Sequence, residues 1–327
     1  MVCTRSPPRT PGGGGGGGGG GEEEVGIVYG QWVELPEDVM ASILKRVGAI
    51  DILANVESVC KTWRNICKEP SMWRSIDMRD DMSDMDYDLV KICRRAVDRS
   101  SGALLHISIE YFGTDDLLVY IADRSTQLNS LRLVSCRNIS DEGLIAAAAK
   151  MTSLEELDLS YCSFSKAALE KIGHCCPLLR SFKLNTTGYR YPCIECDDEA
   201  LAVAESMPGL RHLQMFGNKL TNQGLQAILD ACPYLESLDL RRCFNVILEG
   251  KMERRCSEHI KDLRRPFDPT DDYPFDLRVP NILWSDEEDY PYRFSDIDFM
   301  SDDDNYYEFS DGSDFTEVYD IEDGWLF

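Results

Sequence analysis

The residues best suited to chemistry are the cysteines and histidines between His174 and Cys196. Cys193-x-x-Cys196 has metal-ligand spacing, and His174-Cys175-Cys176 stands shortly before it. A structural zinc takes four ligands, and no second C-x-x-C pair occurs. Cys175, Cys176 and Cys232 instead sit just ahead of Pro177 and Pro233, where small apolar residues suit helix ends. Only four histidines are present (His106, His174, His212, His259), none in a motif with a nucleophile or a paired carboxylate. The glycine run Gly12 to Gly21 lacks the following Lys-Ser/Thr of a phosphate loop. The expectation is a non-catalytic chain with no cofactor and no metal.

Binding is legible where catalysis is not. In Leu35 to Trp73, Leu35-Pro36 precedes an amphipathic stretch, and Pro36 suits a first helical position because its missing N–H costs nothing there. Glu37 and Asp38 favour the positive end of the helix dipole. Met40, Ile43, Leu44 and Val47 recur at helical spacing as one apolar stripe. Asp51 is placed to cap a second helix bearing Ile52, Val56, Val59, Cys60 and Trp63. So short a segment cannot bury that many large apolar groups by itself, so a second surface must cover the rest. The segment reads as a docking module.

Leu35-Pro36, Ile43-Leu44, Asp51-Ile52-Leu53, Val59-Cys60-Lys61-Thr62-Trp63-Arg64, Pro70 and Trp73 together resemble an F-box. The resemblance implies binding of a Skp-type adaptor and, through it, a cullin-RING ubiquitin ligase. It also implies that Leu35, Pro36, Ile43, Leu44, Leu53, Val59, Cys60 and Trp63 supply much of the adaptor interface. In that setting the thirteen scattered cysteines read as reduced thiols, in the nucleus, the cytoplasm or both.

The middle of the chain repeats. L-x-x-L-x-L recurs at Leu104–Ile107–Ile109, Leu128–Leu131–Leu133, Leu154–Leu157–Leu159, Leu179–Phe182–Leu184, Leu210–Leu213–Met215 and Leu235–Leu238–Leu240. Successive starts lie 24, 26, 25, 31 and 25 residues apart, within the leucine-rich-repeat period. Cys136, Cys162, Asn218 and Cys243 occupy a shared inward position after the strand. Helix-like stretches follow, with Asp141, Ser165 and Asn222 placed to cap them. The pattern resembles the cysteine-containing repeats found behind F-boxes, and the combination looks like a plant F-box/leucine-rich-repeat protein of the Skp-interacting type. The implied α/β fold is a helical F-box followed by a short solenoid arc with two disordered tails. The expected boundaries are 1–31 (Gly-rich extension), 32–78 (F-box), 79–262 (repeats) and 263–327 (acidic tail).

Strand alternation places Ser108, Arg132, Asp158, Lys183, Gln214 and Asp239 in one outward row, with Phe216 and Arg241 beside it. Arg132, Phe216 and Arg241 are the first candidates for target contact, because Arg and aromatics supply many binding hot spots. The longer fourth repeat adds Tyr189 and Tyr191, with Arg190, in a loop expected to project from the rim. Plain solvated strand faces and a silent insertion remain the alternatives.

The net charge of −24 argues against non-specific nucleic-acid binding, and no apolar run of 18 residues predicts a membrane span. From Pro266 onward, twenty acidic residues face two arginines, Arg278 and Arg293, with aromatics interleaved. Such a stretch is expected to be disordered and dispensable to the fold; its aromatics leave room for binding a basic partner, or for folding back on a basic patch such as Arg241-Arg242, Arg254-Arg255 or Arg264-Arg265. Ser285, Ser295 and Ser301 each have an acid three residues downstream, a pattern that acid-directed kinases use. The function these features imply is target recognition, with an unknown protein substrate, for a Skp-cullin-F-box ubiquitin ligase. A non-degradative adaptor-bound scaffold is the alternative, and a small-molecule receptor fits a short arc poorly.

Overall fold

A strand whose alternate residues are apolar must bury one face, and parallel neighbours need a long crossover between them. A period near 25 residues satisfies both demands with one helix per turn of chain. The computed structural model describes residues 35–79, 88–188 and 194–275, and shows this arrangement repeated. The helical module comprises α1 (Glu37–Leu44), α2 (Ala49–Asp51), a π-helical turn (Ile52–Val56), α3 (Glu57–Val59), α4 (Lys61–Ile66) and a 3₁₀ turn (Pro70–Trp73). Strands and helices then alternate: β1 (Ser75–Met78), α5 (Leu89–Ser100), β2 (His106–Glu110), α6 (Asp115–Arg124), β3 (Ser130–Val134) and α7 (Asp141–Ala148). They continue through β4 (Glu156–Ser160), α8 (Lys166–Cys175), β5 (Ser181–Lys183), α9 (Asp198–Ser206), β6 (His212–Gln214) and α10 (Asn222–Ala231). The series ends with β7 (Ser237–Asp239), α11 (Gly250–His259) and β8 (Asp262–Arg264).

All eight strands form one parallel sheet in sequence order. The register pairs like with like: Ile107 with Leu131, Leu131 with Leu157, Leu157 with Phe182, Phe182 with Leu213, and Leu213 with Leu238. Every apolar residue of the six L-x-x-L-x-L motifs is at most 4 % exposed, so the repeat pattern is the core. At the strand exits, one residue per coil adopts positive φ: Tyr111, Ser135, Tyr161, Gly217 and Arg242. This left-handed bend lets the ladder continue past the strands. Tyr111 N–H donates to Val134 O, Ser135 N–H to Ser160 O, Gly217 N–H to Arg241 O, and Arg242 N–H to Pro266 O.

The helix caps sit one residue earlier than expected at two sites. Ser140 and Thr221, with Ser165 as read from the sequence, accept from the first-turn N–H groups of α7, α10 and α8. Asp141 and Asn222 are instead first helical residues, and each reaches the next coil. Asp141 accepts from Ser165 N–H at 3.2 Å, and Asn222 from Ile247 N–H at 2.8 Å. Asp115 does the same for Ser140, through both its N–H and its hydroxyl at 2.7 Å. Gly143 is required by this staple, because a Cβ there would lie 2.0 Å from the Asp115 carboxylate. Asp51 is also not a cap. It lies inside α2, which begins after Gly48 at φ 94°, and its carboxylate accepts from Asn55.

Both ends of the solenoid differ from the sequence expectation. The 78/79 boundary does not separate two bodies, since β1 pairs with β2 and places Ile76 and Met78 in the repeat core. Trp73, 1 % exposed, donates its indole N–H to Cys67 O at 2.8 Å, and Arg99 of α5 pairs with Glu57 at 2.8 Å. The 262/263 boundary cuts through β8. Its chain continues across the strand exits as far as Phe275, where Tyr273 is buried. The acidic stretch therefore begins as a packed strap, because two aromatics and an acid in Asp272-Tyr273-Pro274-Phe275 meet partners on the sheet. Residues 1–34 and 276–327, with the three candidate phosphorylation sites, lie outside the described residues.

A chain ending at Phe275 is expected to keep the full chain's melting temperature. One ending at Arg265 is expected to melt roughly 4–8 °C lower, since losing the stacked aromatics removes on the order of 2 kcal/mol. Differential scanning calorimetry of the two truncations separates the strap from the remainder of the tail; equal melting points would show that the strap contributes nothing.

Candidate functional site

The helical module divides its apolar stripe between two faces. Met40 and Leu44 point into the core, at 2 % and 1 % exposure, while Val39 and Ile43 are exposed on α1 and Val47 is exposed in the turn that follows it. Val39 and Ile43 stand one helical turn apart, and Val47 carries the apolar ridge into the turn after α1. Val59, 60 % exposed, adds an apolar residue at the end of α3. Of the ten large apolar residues exposed among the described residues, four fall between Val39 and Val59, so uncovered apolar surface concentrates on this module.

The chain breaks sharply at Cys60, whose extended backbone (φ −155°) ends α3, while its Sγ accepts from Trp63 N–H at 3.4 Å to start α4. This break opens a shallow depression lined by Leu35, Met40, Cys60, Trp63 and Ile66, with Glu37 and Thr62 at the rim. The eight sequence-derived adaptor residues therefore separate into three environments. Pro36, Ile43 and Val59 are exposed, Leu35, Cys60 and Trp63 are half-buried, and Leu44 and Leu53 are buried supports behind the surface. Alternating 3.6-residue faces could not reveal that Leu44 and Leu53 join the core that the module shares with the sheet, because that core is assembled from residues far along the chain.

The second surface is the sheet face turned away from the helices. Register places Ser108 opposite Arg132, then Asp158, Lys183, Gln214 and Asp239 in turn, which is the row read from strand alternation. The row is internally paired over much of its length. Arg132 donates to Ser108 Oγ at 2.9 Å, forms an ion pair with Glu110 and lies 3.5 Å from Asp158. Gln214 donates to Asp239 at 3.1 Å, and Lys183 is exposed.

Phe216 and Arg241 are not free surface: they are 0 % and 5 % exposed. Tyr273 stacks face to face on Phe216, with ring centroids 3.7 Å apart and planes 5° from parallel. Arg241 pairs with Asp239 at 2.8 Å and with Asp272, and donates to Pro269 O at 3.1 Å. Asp272 is held below its ordinary carboxylate range, chiefly by its hydrogen bond from Arg241. Tyr161 OH donates to Tyr273 OH at 3.2 Å, and Phe275 meets the Tyr161 ring edge-on at 5.0 Å. The contribution of Tyr161 carried one sequence signal: it occupies the strand-exit position filled elsewhere by Ser135 and Gly217. Tyr189, Arg190, Tyr191 and Cys193 lie outside the described residues.

The cysteines serve packing. Cys136 and Cys162 donate to carbonyls of the preceding coil, Ile109 O at 3.6 Å and Leu133 O at 3.7 Å, while Cys243 reaches Met215 O at 2.9 Å. Cys176 and Cys232 do the same from helix ends, toward Met151 O at 3.8 Å and Met207 O at 3.5 Å. Burial pushes the Cys136 thiol up to about 11 and the Cys162 and Cys176 thiols up to about 12. Among the described residues, no three His, Cys, Asp or Glu side chains converge as a metal site, and no helix is long and apolar enough to cross a membrane.

Comparison with known proteins agrees with this geometry. Residues 32–79 match an F-box-like family model, and residues 124–146, 150–173 and 208–229 match a leucine-rich-repeat model. The chain is 52 % identical to F-box protein SKIP19 of Arabidopsis thaliana over 291 residues, covering 88 % of this chain and 92 % of that protein. It is 54 % identical over 243 residues to the putative F-box/LRR-repeat protein 23 of the same plant, covering 73 % of this chain and 54 % of the other. Among solved structures, the leucine-rich-repeat protein LegL7 from Legionella pneumophila aligns at a TM-score of 0.37 and 20 % identity, over 52 % of this chain and 57 % of that one.

Thiol chemistry offers a direct check on the packing. Cys136, Cys162 and Cys243 are expected to resist alkylation until denaturant is added, whereas the half-buried Cys196 reacts in the native protein. Raised thiol pKa values also predict a pH dependence. Unfolded thiols ionise near their usual 9.0, and the buried ones only near 11 to 12. The folded state therefore holds more protons in between, and the thiol contribution to stability is lost as pH rises through that window. Urea midpoints that do not fall between about pH 9 and 11 would contradict it.

Proposed function

Because the chain belongs to the plant F-box/leucine-rich-repeat family, we propose that it is the substrate-recognition subunit of a Skp-cullin-F-box ubiquitin ligase. The observation that carries this reading is the uncovered apolar ridge Val39, Ile43 and Val47, with Val59 on the same helical module. Water-exposed apolar ridges of this kind gain by burial against a partner, and the partner proposed is a Skp-type adaptor. Pro36, Ile43 and Val59 are the direct contacts. Leu35, Cys60 and Trp63 line the adjoining depression, and Leu44 and Leu53 hold the surface from behind.

The chain's part in the reaction is geometric. It contributes no acid, base or nucleophile, and acts by holding a target near a ubiquitin-charged enzyme, which raises the effective concentration of target lysines. Such an arrangement needs a stiff link between the two docking surfaces. Trp73, Arg99–Glu57 and the β1–β2 pairing supply it, because the helical module and the sheet share one core. Target capture by the open sheet face, ubiquitin transfer to that target and its degradation, in the nucleus or the cytoplasm, complete the proposal.

Replacing Ile43 and Val59 together by Asp is expected to lower adaptor binding about tenfold or more in a pull-down while the chain stays folded by circular dichroism, because neither side chain is part of the buried core. Co-purification of cullin and ubiquitylated prey with the parent chain is the second expected result. Undiminished adaptor capture by the double variant would overturn the docking assignment. Adaptor without cullin would favour a non-degradative scaffold.

A further inference from the structure

The strap from Pro266 to Phe275 has the geometry of a peptide on a receptor. Its partners come from separate coils: Tyr161 after β4, Phe216 after β6 and Arg241 after β7, with Arg132 of β3 facing Phe275 at 5.6 Å. The strap's aromatic and acidic side-chain contacts to the cradle come from one short run, Asp272-Tyr273-Pro274-Phe275, which follows no repeat pattern, while Pro266 O and Pro269 O accept from Arg242 and Arg241. Asp272, Tyr273 and Phe275 are each read by a different chemistry. The Tyr273 ring is taken up by the Phe216 face and its hydroxyl by Tyr161. Phe275 fills an edge-on site against Tyr161, and Asp272 meets the Arg241 guanidinium, with Arg264 3.5 Å away on the outer side.

Arg241 is anchored within its own coil as well as to the strap. Asp239 of its own coil accepts from Nε at 3.1 Å and from Nη2 at 2.8 Å, which leaves Nη1 directed at Asp272 and at Pro269 O. Gly188 and Gly217 bring two adjoining coils into backbone contact beside Phe216. Added Cβ atoms there would lie 2.6 Å from Gly217 Cα and 2.5 Å from Thr186 O, respectively. Both glycines have positive φ, at 65° and 69°. The two coils therefore meet beside Phe216 at a spacing and backbone conformation that suit glycine.

The sequence carries the strap's motif a second time. Asp271-Asp272-Tyr273-Pro274-Phe275 is echoed by Glu288-Asp289-Tyr290-Pro291-Tyr292. Two acids, tyrosine, proline and a second aromatic recur in the same order. Proline limits the backbone freedom lost on binding, so a Tyr-Pro-aromatic run docks at a smaller entropic cost.

We propose that the open sheet face between Tyr161 and Arg241 is a peptide-reading cradle, that its ligand on a target protein is an acidic–Tyr–Pro–aromatic segment, and that Asp271–Phe275 occupies it in cis as a resident competitor. The proposal deepens the target-recognition reading above by naming the chemistry of the segment recognised. A tethered competitor is present at high effective concentration, so an incoming segment binds only when it outcompetes or displaces the strap. The strap thereby sets the threshold for target capture and shields Phe216 from water until a target arrives.

The test uses the full-length chain and a fluorescein-labelled peptide of residues 268–277 in an anisotropy titration. Full-length Tyr273→Ala, and separately Asp272→Ala at the more exposed rim, weaken the resident strap; each carries Tyr290→Ala as well, so that the second motif cannot take the vacated cradle, and the parent chain for comparison carries Tyr290→Ala alone. Each is expected to bind the peptide about tenfold more tightly than the parent chain does, because the competent state is no longer taxed by the closed strap. The same peptide with its tyrosine replaced by alanine is expected not to bind, nor is a scrambled peptide of identical charge. An unlabelled peptide of residues 286–295 is expected to compete. The proposal fails if both variants remain folded by circular dichroism and take up the peptide no better than the parent. It also fails if the scrambled peptide binds equally well, which would reduce the contact to charge alone. Adaptor pull-down on the same samples is independent of the cradle, so failure of peptide binding and failure of adaptor docking are read separately.

Discussion

The constraint on which everything else depends is the parallel backbone ladder. Eight strands run in sequence order with like residues opposite like, and the hydrogen bonds continue beyond the strands through residues in the left-handed region. A parallel ladder fixes the distance between coils, so each coil must return after a near-constant length of chain. That spacing in turn stacks the helices, aligns Asp115, Asp141 and Asn222 with the N–H groups of the next coil, and points the thiols at the carbonyls of the preceding one. No single bond in this set is strong. Their repetition makes them cooperative, as expected where each unit contacts only its neighbours.

A ladder of this kind has two ends, and each end is handled by a different part of the chain. The helical module closes the first coil by contributing β1 and burying Trp73 beside Cys67 and α5. The price is that the module's inner apolar face is committed to the sheet, which leaves only the outer ridge for a partner. At the other end, β8 carries Asp262 and Arg264, charged residues that discourage pairing with another strand. The chain then turns back over the strand exits instead of leaving the domain. One geometric rule thus determines both proposed docking surfaces: the first is what the end closure leaves uncovered, and the second is what the returning strap covers.

The two surfaces differ in how they are prepared. The ridge of α1 is apolar and uncovered, so it gains mainly by removing surface from water. The sheet face is polar, with its charges already paired: Arg132 to Glu110 and Asp158, and Arg241 to Asp239. A partner there gains little by supplying another charge to Arg132. It gains more where an aromatic ring can meet Phe216, which is where the chain's own strap has settled.

Much of this was legible from the amino-acid order. The L-x-x-L-x-L period identified six of the eight strands and the outward row from Ser108 to Asp239, because strand alternation and burial are local rules that the side chains declare. The F-box-like run from Leu35 to Trp73 was equally local, as was the inward placement of Cys136, Cys162 and Cys243. Which side of α1 faces out was not local, since Met40 and Leu44 are buried in a core that the module shares with the sheet. Nor was the fate of Phe216 and Arg241, which strand alternation correctly turned away from the helices but could not know to be covered. Charge density made the segment after Pro266 read as solvated, yet its first ten residues fold back, because Tyr273 and Asp272 find a ring and a guanidinium assembled from different coils. Sequence periodicity determined the repeating core and its faces; only the tertiary structure decided which exposed residues remain exposed, because that depends on contacts between segments with no shared pattern.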